Sequence, residues 1–215
     1  MGLTLEELLL GIGLSSAFVT GVIAIRATAR HGSGSVPILT LACFLVIASC
    51  SLAQLVIAPR LLPLLIRDAA CVSSGQAWRL LTSLLVQDGG WAGAAFNLVG
   101  LLAIGMVAER LLGRLQWTVV AVISVGVAQS FALSWQPTGA GNSILNFGLA
   151  GAVCAACLMA RPTRQLLVPA ISASACFVLV LAGRDIHGVA AVTGALAAFA
   201  FPRRGRRHDA DGSGV

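Results

Sequence analysis

"PTGAGNSILNFGLAGA", residues 137–152, joins an uncharged loop rich in Pro and Gly to the start of a long apolar run. Asn142 and Ser143 stand at the junction. Both residue types favour the N-cap of a helix, so one interpretation is that the pair caps the helix that follows. The other interpretation is that the junction holds a reactive hydroxyl at the edge of a membrane.

The composition around this stretch is that of an integral membrane protein. Of the 215 residues, 58% are hydrophobic and only 10% are charged, and the mean hydropathy is +0.93. A soluble domain carries about a quarter charged residues, and a membrane-spanning helix needs about 20 apolar ones. Seven apolar stretches meet or approach that length, at approximately residues 8–25, 36–57, 92–112, 116–134, 143–160, 165–183 and 187–201. The sequence therefore predicts an all-α polytopic membrane protein.

The segments between these stretches differ in character. Thr4 and Glu7 form a capping-box pattern that opens the first helix, and this acidic start argues against a cleaved signal peptide. The longest connection, about residues 58–91, contains amphipathic pieces such as "AWRLLTSLLV". We expect it to lie in the membrane interface instead of crossing the bilayer.

The positions of the arginines predict the orientation in the membrane. All 14 basic residues are Arg, so arginine alone supplies the positive charge of the loops. If the N-terminus is outside, ten arginines fall on the inner side and four on the outer side. The inner ones are Arg26, Arg30, Arg110, Arg114, Arg161, Arg164, Arg203, Arg204, Arg206 and Arg207. The positive-inside rule favours this arrangement, in which the C-terminus is cytoplasmic. We expect the basic C-terminal tail to anchor the protein at the membrane and not to bind nucleic acid. The Lys-free, Ala/Gly/Arg-rich composition suggests the plasma membrane of a prokaryote.

This topology places three polar side chains at one depth. The third, fifth and seventh stretches all run from outside to inside, and Asn97, Ser143 and His187 lie near their outer ends. Polar residues within a membrane are functional candidates by default. A hydroxyl becomes a nucleophile when an adjacent base takes its proton, so we expect Ser143 to attack an acyl group with His187 as base and then acid.

Each of these residues also has a structural interpretation. Ser143 could be an N-cap, and His187 could face the headgroups, paired with Asp185. Asn97 could join helices by hydrogen bonds, and Asn146 could serve only in packing.

Small residues on the fifth and seventh stretches favour a close approach of these two helices. The fifth has Ala150, Gly151 and Cys154 on one face, and the seventh has Ala190, Ala191, Gly194 and Ala198. Small residues at such spacings let two helix backbones approach closely. The approach would bring the imidazole of His187 within reach of the Ser143 hydroxyl.

Several motifs resemble those of the rhomboid intramembrane serine proteases. They are Trp78-Arg79 in the first loop, Asn97 and Gly105-x-x-x-Glu109 in the second core helix, Gly141-x-Ser143 before Phe147-Gly148-x-x-Gly151-Ala152, and His187 before the small residues Ala190 and Gly194. The resemblance implies a rhomboid-like six-helix core over residues 36–201, plus one extra N-terminal transmembrane helix within residues 1–35. Residues 202–215 would form a basic, disordered cytoplasmic tail.

The resemblance also implies an activity. The chain would be a serine endopeptidase that cleaves transmembrane substrates near the outer membrane face with a Ser143–His187 dyad. Asn97 and the backbone N–H of Ser143 would hold the oxyanion. Seven residues would support the fold and its packing: Trp78, Arg79, Glu109, Gly148, Gly151, Ala190 and Gly194.

Two positions depart from the family pattern. Ile144 stands where Gly follows the nucleophile, and Gly93 stands where the His of a His-x-x-x-Asn pair contributes an oxyanion donor. Loss of one such donor typically costs about 100- to 1,000-fold in turnover. Asn142 and Gln87 are candidate replacements. The alternative hypothesis is a catalytically inactive rhomboid-like protein that binds membrane proteins without cleaving them.

Other functions are disfavoured. The six cysteines lie almost wholly in apolar runs, where Cys acts as a small hydrophobe, and Cys154-x-x-Cys157 has no second ligand pair. A transporter needs a polar path through the bilayer, whereas the polar side chains cluster at one end. We expect no metal, cofactor or nucleic acid, and as partners only the lipid bilayer and transmembrane proteins.

Overall fold

The computed structural model describes residues 4–28, 36–160 and 163–200, and within them the fold is helical apart from one short β-ladder. Five helices are long and apolar enough to cross a membrane: Leu5–Ala27, Ile38–Ile57, Gly90–Leu112, Arg114–Trp135 and Arg164–Ala182. Two apolar helices, Ser143–Met159 and Ile186–Phe199, are shorter. The prediction of an all-α polytopic membrane protein is confirmed. The expected tail, residues 202–215, lies outside the described residues.

The first two membrane helices differ in how the backbone N–H groups at their N-termini are capped. Helix α1, Leu5–Thr28, opens with the expected capping box, in which Glu7 N–H donates to Thr4 Oγ1 at 3.1 Å and Thr4 N–H donates to Glu7 Oε2 at 2.8 Å. Helix α2, Ile38–Leu52, continues into the π-helical turn Ala53–Ile57. Its N-terminus has no cap of its own, because Pro37 at that position makes no side-chain hydrogen bond.

The longest connection contains three short helices: α3, Leu61–Leu65; α4, Ala69–Ser73; and α5, Arg79–Thr82. Strand β1, Arg67–Asp68, pairs antiparallel with β2, Thr138–Gly139, and this ladder joins the connection to the loop that precedes Ser143.

The motif residues Trp78 and Arg79 stabilise this connection. The buried Arg79 guanidinium donates from Nη1 to the carbonyls of Pro63 and Ile66, both at 3.0 Å, and lies 5.1 Å from the centroid of the Trp78 ring. Its Nε also donates to Gln76 Oε1 at 2.7 Å, so four groups meet at one guanidinium and give the turn around α3 a defined shape.

The third membrane helix is a continuous rod of three parts: α6, Gly90–Gly100; the π-helical turn Leu101–Gly105; and α7, Met106–Leu112. Glu109 on α7 is buried and supplies the cap that α2 lacks. Its carboxylate accepts from the N–H groups of Leu39 at 3.1 Å and Thr40 at 2.8 Å, and from Thr40 Oγ1 at 2.9 Å. A carboxylate at a helix N-terminus satisfies orphan donors and complements the helix dipole.

The remaining helices are α8, Arg114–Trp135; α9, Ser143–Met159; α10, Arg164–Ala182; and α11, Ile186–Phe199. Helix α9 occupies the centre of the bundle, with most of its residues buried, and it packs against α1, α8, α10 and α11. Helix α1 also packs along α10, so this N-terminal helix is part of the bundle.

Helices α9 and α11 approach each other at glycines. A Cβ added at Gly194 of α11 would lie 2.7 Å from the carbonyl carbon of Gly148 and closer still to its oxygen. A Cβ added at Gly151 of α9 would lie 2.7 Å from the carbonyl carbon of Ala191. Any side chain at these two points would collide with the backbone of the other helix, so glycine is required for the two helices to approach this closely.

Candidate active site

Ser143 and His187 meet at the N-terminal ends of α9 and α11. Ser143 is the first residue of α9, His187 is the second residue of α11, and Ser143 Oγ lies 2.7 Å from His187 Nε2. The imidazole packs edge-on against the buried ring of Phe147, with a centroid separation of 5.1 Å. Both polar side chains are half-buried, so the pair is held by packing and remains accessible.

Asp185 holds the other side of the imidazole. Its Oδ1 lies 2.6 Å from His187 Nδ1 and accepts the backbone N–H of His187 at 2.6 Å, which caps α11. Gln136 Nε2 donates to Asp185 Oδ2 at 3.3 Å, and only 4% of Asp185 is exposed. The possible pairing of His187 with Asp185, one of the structural interpretations of the sequence, is therefore present.

The charge state of Asp185 follows from these contacts. Burial raises the pKa of the Asp185 carboxyl, but the hydrogen bonds from His187, together with the charge that this imidazole carries whenever it is protonated, outweigh burial and hold that pKa below its ordinary value. A side-chain hydrogen bond with Glu6 of α1 acts in the same direction. Asp185 is therefore an ionised acceptor at neutral pH.

Asn97 lies on α6 at the same end of the bundle. Its Nδ2 donates to Gln87 Oε1 at 2.7 Å, and its backbone carbonyl accepts from Asn142 Nδ2 at 3.0 Å and Asn146 Nδ2 at 2.9 Å. Asn97 is thus fixed through both its side chain and its backbone. Asn146, for which packing was one interpretation, is a buried hydrogen-bonding link between α9 and α6.

One expectation about this region is wrong. Ser143 is not the N-cap of α9, because Asn142 occupies that position and its side chain makes no capping hydrogen bond. The Asn142 side chain is instead buried and bonded to its neighbours, accepting from Gln87 Nε2 at 3.2 Å. Gln87 and Asn142, the candidate replacements for the missing oxyanion donor, are both buried, are hydrogen-bonded to Asn97 and do not line the cavity.

A cavity of about 330 Å³ opens beside the Ser143–His187 pair. Its lining includes Arg67, Asp88, Asn97, Ser143, Ile144 and His187. The three polar residues expected at one depth therefore share one space, and the β-branched Ile144 forms part of its wall. Gly93, one turn before Asn97, is not in the lining, and a Cβ added there would meet nothing within 4 Å.

Arg67 is a cavity residue that the sequence did not single out. Its guanidinium donates to Gln129 Oε1 at 2.7 Å and to the Gln136 carbonyl at 2.9 Å, and only 4% of the residue is exposed. Burial lowers the pKa of Arg67, and the nearby Asp88 carboxylate opposes that effect. No helical or alternating pattern marks Arg67, which enters the cavity only because β1 pairs with β2.

The other expected site residues are placed elsewhere. Trp78, Arg79 and Glu109 lie outside the cavity lining, in the contacts that shape the connection and cap α2. Gly148, Gly151, Ala190 and Gly194 lie where α9 faces α11. Within residues 4–28, 36–160 and 163–200, no group of three or more His, Cys, Asp or Glu side chains could hold a metal ion.

Comparison with models of known protein families identifies a matching domain. The family model described as the Rhomboid domain matches residues 74–205, which is more than half of the chain and includes Asn97, Ser143 and His187. None of the curated proteins matches this sequence.

Proposed function

The chain belongs to the rhomboid family, and we propose that this member is an intramembrane serine endopeptidase that cleaves transmembrane proteins. One observation carries the proposal: Ser143 Oγ and His187 Nε2, 44 residues apart in sequence, lie 2.7 Å apart. That is the distance at which an imidazole takes a hydroxyl proton. The open cavity beside the pair provides space for the scissile peptide.

The reaction proceeds by acyl transfer. Ser143 Oγ attacks the carbonyl carbon of the scissile bond while His187 Nε2 takes its proton. His187 then gives that proton to the leaving amine, which breaks the peptide bond and leaves an ester on Ser143. Water attacks the ester with His187 again as base, and the new carboxyl terminus departs.

Two donors are available for the oxyanion. The backbone N–H of Ser143 is the first of α9, so no intrahelical carbonyl can accept it, and the helix dipole favours negative charge there. Asn97 Nδ2 uses one hydrogen for Gln87 and has a second to offer to the cavity that it lines.

We place the N-terminus outside and the C-terminus in the cytoplasm of a prokaryotic cell, with cleavage near the outer face. The distribution of arginines supports this orientation under the positive-inside rule. The substrates are then membrane proteins whose spanning segments enter from the bilayer.

The second candidate is a non-catalytic protein that binds membrane segments. Gly93 offers no oxyanion donor where the family pattern has His, and the β-branched Ile144 lines the cavity where the pattern has Gly; both changes favour this alternative. The preserved hydrogen bond between Ser143 and His187 favours the protease, since binding alone does not require it.

The test is cleavage of a single-span reporter in liposomes that also contain the purified protein. We expect cut products near the end of the span that lies on the side of Ser143. Ser143→Ala and His187→Ala should abolish them, whereas Ser134→Ala, which removes an exposed serine of α8, should not. Stable co-purification of reporter spans without any product, by folded wild-type protein, would replace the protease with the binding protein.

A further inference from the structure

The immediate surroundings of His187 contain a third group. We infer that Asp185 is a positioning residue for the reaction proposed above, so that Ser143, His187 and Asp185 form a hydrogen-bonded triad in which Asp185 stays ionised. The inference rests on the proposed function. In this role, Asp185 fixes the imidazole of His187 in the tautomer and orientation that can accept the Ser143 proton.

The tautomer follows from the chemistry of the contact. An ionised carboxylate can only accept hydrogen bonds, so Nδ1 of His187 must carry the proton that lies between it and Asp185 Oδ1, 2.6 Å away. In the neutral ring, Nε2 then has a lone pair, and this atom faces Ser143 Oγ at 2.7 Å. The arrangement is the one that a general base requires.

The carboxylate is itself held in place. Oδ1 also accepts the backbone N–H of His187 at 2.6 Å, and Oδ2 accepts from Gln136 Nε2 at 3.3 Å. Gln136 is anchored in turn, because its carbonyl accepts from the buried Arg67 guanidinium at 2.9 Å. Asp185 is 4% exposed, so little space remains for it to turn toward solvent. When His187 takes the serine proton, the resulting imidazolium already has an ionic partner.

The competing explanation is that Asp185 merely caps α11. Three substitutions separate the two roles. Asp185→Asn keeps a good N-cap and an oxygen acceptor of the same shape but loses the negative charge. Asp185→Ser also keeps an N-cap, but its side chain is one bond shorter, so its hydroxyl does not reach His187 Nδ1. Asp185→Ala loses both functions and reports the cost of the cap.

The experiment measures turnover of the liposome reporter, the rate of labelling by a fluorophosphonate probe, and the melting temperature of each purified variant. We expect Asp185→Ser to lose about 10²- to 10⁴-fold in turnover and labelling. Asp185→Asn should also lose rate, with kcat reduced and KM little changed. Both should melt within a few degrees of the wild type, whereas Asp185→Ala melts lower.

A spectroscopic measurement adds a readout that does not depend on turnover. A proton shared between Nδ1 and a carboxylate gives a strongly downfield signal in the proton NMR spectrum of the protein labelled with ¹⁵N-His. We expect this signal in the wild type and in Ser143→Ala, and its loss in Asp185→Ser.

The outcomes are distinguishable. Wild-type rates in both Asp185→Ser and Asp185→Asn, beside an active wild type, would reduce Asp185 to a cap and overturn the inference. Absence of the downfield signal from folded wild-type protein would overturn it whatever the activity. If the signal is present but the wild type neither cleaves nor labels, the proposed protease function fails while the contact between Asp185 and His187 is upheld.

Discussion

Gly194→Ala on α11 is expected to separate the catalytic pair although it lies far from the cavity. The new Cβ would stand 2.7 Å from the carbonyl carbon of Gly148, whereas ordinary contacts of this kind begin at 3.4 Å. Clearing the carbon alone requires a movement of about 0.7 Å, and clearing the nearer carbonyl oxygen requires more. Because the obstacle is backbone and not a flexible side chain, the helices themselves must move apart, by roughly 1 Å.

This movement is transmitted to the site. His187 lies seven residues, about two helical turns, before Gly194, on a helix that shifts as a unit. A displacement of this size stretches the 2.7 Å contact between Ser143 Oγ and His187 Nε2 to the limit of hydrogen bonding or beyond it. A misplacement of about 1 Å can cost about 100-fold in rate, and overpacking costs about 1–3 kcal/mol in stability.

The assay is the second-order rate of fluorophosphonate labelling, measured on the folded fraction after size-exclusion chromatography in detergent. We expect Gly194→Ala to label about 100-fold more slowly than the wild type. The matched control is Gly126→Ala on α8, where a Cβ meets nothing within 4 Å and labelling should not change. A Gly194→Ala protein that is folded and labels at the wild-type rate would refute the link between this helix contact and the geometry of the pair.

Two further substitutions, each paired with a control substitution, test other parts of the structure. Gly93→His should raise turnover by about 10- to 100-fold, because it places a hydrogen-bond donor for the oxyanion one turn from Asn97, at a position with free space. Gly93→Leu, which is similar in size but has no donor, should not raise turnover. Glu109→Gln should lower the free energy of unfolding by about 1–3 kcal/mol, measured by thermal denaturation in detergent, since both carboxylate oxygens accept N–H groups of α2 and an amide NH₂ cannot. Arg114→Ala, which removes a half-exposed ion pair at 3.7 Å, should change stability by less than about 1 kcal/mol. Equal behaviour of the two residue-93 variants, or of the Glu109 and Arg114 variants, would contradict these assignments.

The lengths of the apolar stretches and the positions of small residues were sufficient to predict much of the fold. Apolar stretches of near-spanning length predicted the membrane helices to within a few residues, because a run without charges has few alternatives to a buried helix. The small residues around Gly151 and Gly194 predicted where two backbones come close, which is the reason that Ser143 and His187 could be expected to meet.

The polar surroundings of the pair could not be predicted in the same way. Local preference favoured Asn142 and Ser143 as a cap, but the buried Asn142 amide bonds to Gln87 and the Asn97 carbonyl, and these tertiary partners outweigh a capping bond. No periodic pattern in the longest connection marks Gln87 or Arg67, so only the paired strands and the packed helices bring them together with the site.

The proposed reaction requires that His187 activates Ser143. Its most direct test is mass-spectrometric mapping of the fluorophosphonate adduct on the purified wild type, on Ser143→Ala and on His187→Ala. We expect one adduct, on Ser143, present in the wild type and absent from both variants when all three proteins are equally folded. An adduct on another residue, or a Ser143 adduct that forms equally well without His187, would contradict it.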